Sequence, residues 1–107
     1  MKRIYVAGPY THGDVAVNVR TAMEAGNFII EAGHSPFVPH LYHFMHIHQP
    51  HVYEIWTELD LAWVQACHAI FRIDGHSSGA DAEVAYAEKL GIPVFTDIYA
   101  LLGWLKK

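Results

Sequence analysis

Two carboxylates and a serine–glycine loop are the parts of this chain whose types and spacing suit chemistry. Asp60 lies between Trp56 and Trp63, and Glu83 follows Gly79 at the start of another helical segment. Both segments border the apolar run Ala69–Ile73, so the two carboxylates can converge above one strand. Either one alone reads as an ordinary solvated carboxylate; the shared strand sets them apart. Neighbouring carboxyl groups in unlike surroundings divide labour, one as nucleophile and the other as general acid. The loop Gly75-His76-Ser77-Ser78-Gly79 runs directly into a helix. Its free N–H groups and the positive helix end suit an anion such as phosphate, and Ser77 or Ser78 suits a helix cap.

The chain carries nine histidines, and His40, His43, His46, His48 and His51 crowd one short stretch. A zinc site needs about four ligands in a set geometry. Steps of three residues rotate steadily around a helix and present no single face, and Cys67 is remote and alone. We therefore expect no metal site. The plain reading of the stretch is caps, aromatic packing and surface side chains. His40 and His43, just past a strand, are also placed to line a pocket. Tyr42, Phe44, Tyr53 and Trp56 offer stacking surface for a base, or simply core. Glu54 and Glu58, four apart, read as a solvated helix face.

These groups must be positioned by alternating elements. Ile4–Ala7 reads as a buried first strand ending at Gly8-Pro9. Asp14 caps a helix through about Ala32, with Val15, Val19, Ala22, Met23, Gly26 and Ile30 at helical spacing and Gly33 closing it. Ser35–Val38 is a brief strand, and His40–Val52 has no clean period and reads as a loop or broken helix. Tyr53–Ala66 is helical, with Ile55, Leu59, Ala62, Trp63 and Ala66 on one face. Ala69–Ile73 is a strand, Ala80–Leu90 a helix closed by Gly91, and Ile92–Phe95 a strand. Asp97 caps a last helix to Lys107. This order predicts an α/β three-layer sandwich with a mainly parallel four- or five-stranded sheet, Rossmann-like or flavodoxin-like. Ligands of such sheets bind beyond the carboxyl ends of the strands. Three loops lie there: Gly8-Pro9-Tyr10-Thr11, the histidine stretch, and Gly75–Gly79.

Composition narrows the classes. At 107 residues the chain is one domain, 1–107. With 52% apolar and 17% charged residues it is neither disordered nor fibrous. A net charge of −4 argues against binding polymeric nucleic acid. Cys67 is the only cysteine, which excludes an internal disulfide and suits a reducing cytoplasm. No signal-peptide core and no uninterrupted apolar run of ~18 residues is present, so neither secretion nor a membrane partner is expected.

The stretch Asp60-Leu61-Ala62-Trp63, with Ala69-Ile70-Phe71 and Ser77-Ser78-Gly79-Ala80-Asp81-Ala82-Glu83-Val84-Ala85-Tyr86-Ala87, resembles the nucleoside 2-deoxyribosyltransferase superfamily. Within it, the pattern resembles the branch containing 2'-deoxynucleoside 5'-phosphate N-hydrolases and small relatives of them. The first-strand Tyr5 and its glycine turn fit as well, so the likeness spans nearly the whole chain. The resemblance implies Glu83 as the nucleophile that attacks the anomeric carbon, Asp60 as the acid serving the departing base, and Tyr5 as the tyrosine that holds the nucleophile. It places Gly8 and Tyr10 near the substrate and implies no cofactor. Ser77, where transferases carry a carboxylate, tilts the likeness toward a nucleoside 5'-monophosphate, with Ser78 and Gly79 beside it.

Three features depart from that pattern. Asp81 stands where a small residue is usual and would repel a phosphate, the first loop lacks an arginine, and His68 replaces the aspartate usual just before the third strand. The expected activity is cleavage or transfer of the base of a nucleoside or its 5'-monophosphate. The alternative is a nucleotide-binding or sensing module of the same fold without turnover. A homodimer or higher homo-oligomer is expected from the apolar content and from the resemblance.

Overall fold

The structure, a computed structural model, describes all residues from Met1 to Lys107. Its elements in chain order are β1 (Arg3–Ala7), α1 (Val15–Glu31), β2 (Ser35–Phe37), a 3-10 turn (Pro39–Leu41), α2 (Tyr42–His48), α3 (Tyr53–Ala66), β3 (Ala69–Arg72), α4 (Ser78–Lys89), β4 (Val94–Phe95) and α5 (Ile98–Leu105). The four strands form one sheet in the order β2-β1-β3-β4, and every pair is parallel. In register, Tyr5 pairs with Phe37 on one side and Ile70 on the other, and Ala7 pairs with Arg72. The architecture is thus the expected α/β sandwich, with four strands and no antiparallel edge.

Strand alternation sends successive side chains to opposite faces. Ile4, Val6, Ala69 and Phe71 pack with Ala22, Ala25 and Ile29 of α1 and Leu101 and Leu105 of α5. Tyr5, Ala7 and Ile70 pack with Val64 of α3, Cys67, and Ala80 and Ala87 of α4. Three layers follow. Strand order reverses between β1 and β3, because the chain leaves β1 toward β2 on one side and β3 toward β4 on the other. The loops after these two strands flank the crevice where such sheets bind ligands. No helix is long and apolar enough to cross a membrane.

Three caps start helices as their residue types dictate. Asp14 accepts from Val17 N–H at 3.1 Å, Asp97 from Tyr99 N–H at 3.0 Å, and Ser77 Oγ from Ala80 N–H at 3.0 Å. The Ser77 cap starts α4 at Ser78, two residues before the position expected from the apolar pattern. The histidine stretch is a broken helix, the 3-10 turn followed by α2.

The largest difference lies in α3. Its limits match the expectation, but its orientation does not. Ile55, Leu59 and Trp63 are about 40% exposed, at 41%, 40% and 42%. Asp60, Leu61 and Val64 turn toward the sheet instead. One residue along a helix is a rotation of about 100°. The helix is apolar on both stripes, so local periodicity does not choose between them. Packing of Val64 and Cys67 against Tyr5, Ala7 and Ile70 makes the choice. It draws an acidic residue inward.

Candidate active site

Tyr5, Asp60 and Glu83 meet on the α3/α4 face of the sheet. Tyr5 is fully buried, and its hydroxyl donates to Glu83 Oε2 at 2.7 Å. Its ring stacks on Phe37 at a centroid distance of 5.7 Å, which fixes the hydroxyl's direction. Burial and the nearby carboxylates push its ionisation far up, so it stays an O–H donor. The Asp60 and Glu83 carboxyls lie within reach of each other, so that a proton held on one can be shared with the other. Burial, then the charge of Glu83, pushes the Asp60 carboxyl up to about 8. Burial also raises Glu83, but hydrogen bonds from Tyr5 and Asp60 and the charge of Arg72 oppose it. Of the two, Asp60 therefore holds its proton the more tightly, and Glu83 is the first to ionise. Asp60 Oδ1 is buried with no hydrogen-bond partner, an expensive arrangement that leaves an acceptor aimed at nothing in the protein.

The β1–α1 loop forms the near wall. Gly8 is tight against β3's end: a Cβ there would lie 2.9 Å from Ile73 Cβ. The Tyr10 hydroxyl is hydrogen-bonded to His43 Nδ1, and its ring stands edge-on to those of His40 and His43. His40 is buried at 5% exposure, and its Nε2–H donates to Pro9 O at 3.0 Å. Burial lowers the basicity of His40 and keeps it neutral, while its Nδ1 has no partner. The structure thus sets His43 at the loop beside Tyr10 and His40 beneath it. Asn18 Nδ2 donates to the carbonyls of Tyr10 and His12, tying the same loop to α1. No local signal distinguishes Asn18 in the sequence.

The β3–α4 loop forms the far wall. Gly75 has φ +122°, and a Cβ there would meet Pro9 Cγ at 2.8 Å, so glycine alone lets the two loops touch. Ser77 is committed as the α4 cap, Ser78 is exposed, and Gly79 lies close under the Tyr53 hydroxyl. Arg72, which the sequence reading passed over, donates to the carbonyls of Ile73 and Gly75 and pairs with Asp81 at 2.9 Å. The departure at Asp81 therefore has a partner: it answers a cation from β3.

Farther along the stretch, His46 and His51 pack on Trp56. Trp56 Nε1–H donates to His46 Nδ1 at 2.8 Å, and the His46 and His51 rings stand edge-on to Trp56. Trp63 stacks on Phe37 at 4.5 Å and donates to the Tyr42 hydroxyl. These contacts bind α2 to α3. No three His, Cys, Asp or Glu side chains converge in a metal-holding arrangement. Glu54 and Glu58 are exposed.

A parallel sheet with its crevice between β1 and β3, and a tyrosine-held carboxyl pair there, defines an α/β domain of deoxyribosyltransferase-like fold. A solved structure of a 2-deoxyribosyltransferase from the psychrotolerant bacterium Bacillus psychrosaccharolyticus is similar over 86% of this chain and 69% of that one, at a TM-score of 0.64 and 22% identity. That likeness establishes the fold. The chain belongs to the family described as Domain of unknown function DUF7768, whose model matches residues 2–97. No curated protein matches it.

Proposed function

We propose that this protein cleaves the N-glycosidic bond of a nucleoside or nucleoside 5'-monophosphate through a glycosyl-enzyme on Glu83. One observation carries the reading: a half-buried carboxyl, Glu83, held by Tyr5 at 2.7 Å beside a second, Asp60, that burial makes a weaker acid. Breaking a bond to an anomeric carbon develops positive charge on the sugar, which a carboxylate on the opposite face stabilises and then captures. Glu83 Oε forms the bond to the anomeric carbon as the bond to the base nitrogen breaks. Asp60 gives its proton to the leaving base. Water then attacks the anomeric carbon, returns a proton to Asp60 and frees Glu83. A second base in place of water gives transfer. The 2-deoxyribosyltransferase likeness supports nucleosides as the substrate class.

Gly8 and Tyr10 from the β1–α1 loop and His43 from α2 frame the sugar and base, with His40 supporting that loop. Ser77, Ser78 and Gly79 face the 5' end. The reading includes self-association through the apolar side of α2 and α3, where Phe44, Met45, Ile47, Ile55, Leu59 and Trp63 are exposed. Sedimentation of the purified protein should give a mass above that of one chain.

The test is a panel of ribo- and deoxyribonucleosides and their 5'-monophosphates, with free base measured by chromatography. Release by the wild type and none by Glu83→Ala is the expected result. Tight binding of a nucleotide with no release by either protein would replace this reading with that of a binding module.

A further inference from the structure

Tyr53 opens α3, and Gly79 lies in the first turn of α4. Both helices start at the carboxyl end of the sheet, because each leads back into a parallel strand, α3 into β3 and α4 into β4. The Tyr53 side chain crosses from one helix start to the other. Its hydroxyl lies over the first turn of α4, where a Cβ at Gly79 would be 3.3 Å from it. Glycine at this position is what leaves the oxygen so close an approach. At 66% exposure the Tyr53 ring is not core. The hydroxyls of Tyr5, Tyr10 and Tyr42 are taken up within the protein by Glu83, His43 and Trp63, whereas that of Tyr53 is bonded to no protein group.

The contact sits above the carboxyl pair. Glu83 follows Gly79 by four residues, so the two lie on one side of α4, and Asp60 follows Tyr53 by two turns of α3. Four residues of helix rise about 6 Å. The Tyr53 hydroxyl thus stands about one turn of α4 above Glu83, at the mouth of the crevice. A pentofuranose spans about that length from its anomeric carbon to its 5' oxygen. Resting on the function proposed above, we infer that Tyr53 is a specificity-determining residue whose O–H donates to the 5' end of the substrate sugar. With the anomeric carbon at Glu83, the 5' oxygen comes to the start of α4, where the phenol is held. A free 5'-hydroxyl and a 5'-phosphate both offer an oxygen that accepts this bond.

The test compares Tyr53→Phe with the wild type on three substrates: a nucleoside, its 5'-monophosphate and its 5'-deoxy analogue. The substitution removes one exposed oxygen that makes no bond within the protein, so the thermal melt should match that of the wild type. Loss of one hydrogen bond should lower kcat/KM about 5–10-fold for the substrates that carry a 5' oxygen and leave the 5'-deoxy analogue unchanged. A greater loss for the monophosphate assigns the bond to a phosphate oxygen, and equal losses for the first two assign it to the 5' oxygen itself. An equal loss on all three substrates, as a merely structural role would give, or no loss on any, overturns the inference. If the wild type releases no base, the proposed function is overturned, and the same comparison is read as dissociation constants by calorimetry. Weaker binding by Tyr53→Phe of only the ligands with a 5' oxygen then still supports the Tyr53 contact. Equal binding by the two proteins, or binding of none of the three by either, overturns it.

Discussion

Along β1, Ile4 and Val6 face α1 and α5, whereas Tyr5 and Ala7 face α3 and α4. On the first side the sheet's buried cluster is built of aliphatic, aromatic and alanine side chains. On the second side the same strand delivers a tyrosine hydroxyl to a glutamate, beside an aspartate whose Oδ1 has no hydrogen-bond partner. The first face gains stability from removing apolar surface from water. The second gives up part of that gain, since burying carboxyls costs free energy unless they are paired or protonated. Under the proposed function that cost has a chemical use: it makes Asp60 hold its proton more tightly than Glu83 does. One strand therefore serves two ends, and the difference between them is one residue of register.

Substitutions on the two faces should separate activity from stability. The largest effect is expected for Glu83→Gln, with base release reduced at least ~10³-fold while the thermal melt does not fall. Loss of melting temperature instead of activity would place Glu83 among the structural residues. On the opposite face, Ile29→Ala should cost about 2–5 kcal/mol in chemical denaturation, with activity per folded molecule unchanged.

Asp60→Asn should lower base release about 10²-fold, since a positioned general acid contributes about that much. The wild type is expected to lose activity above about pH 8, where Asp60 gives up its proton, and Asp60→Asn should abolish that fall. Stability gives the same sign independently. Asp60 holds its proton more tightly folded than unfolded, so its contribution is full below the usual carboxylate range and is lost as pH rises through about 8. The melting temperature of Asp60→Asn relative to wild type should therefore climb between about pH 4 and pH 8. A constant difference would mean the Asp60 carboxyl titrates normally.

Tyr5→Phe removes one hydrogen bond to a charged acceptor, about 1.5–3 kcal/mol, and should slow base release about 10–100-fold while raising the acid limb of the pH profile. Ser77→Ala should have the smallest effect, about 1 kcal/mol of stability from the lost α4 cap. A larger loss with a 5'-monophosphate than with the matching nucleoside would show that Ser77 also meets the phosphate.

Much of this is legible in residue order. The Asp14 and Asp97 caps, the limits Tyr53–Ala66 and the meeting of Asp60 with Glu83 beside β3 follow from short-range rules and from the alternation of strands with helices. The facing of α3 is not legible, because Ile55, Leu59 and Trp63 form as good an apolar stripe as the one that packs. Arg72 is hidden for a related reason. At the end of an apolar strand an arginine reads as a solvated terminus, and only the fold brings Gly75 O and Asp81 to it. Among the histidines, adjacency suggests a shared task. The fold separates them: His40 and His43 go to the β1–α1 loop, and His46 and His51 go to Trp56.

By itself, then, the sequence determined the kinds and order of elements, their caps, and the carboxylates available to the site, since these depend on local hydrogen bonding and periodicity. The tertiary structure alone decided which stripe of α3 is buried, what Arg72 pairs with, and which carboxyl holds its proton the more tightly. Those outcomes depend on desolvation and on distances between residues far apart in the chain, and no local pattern encodes either.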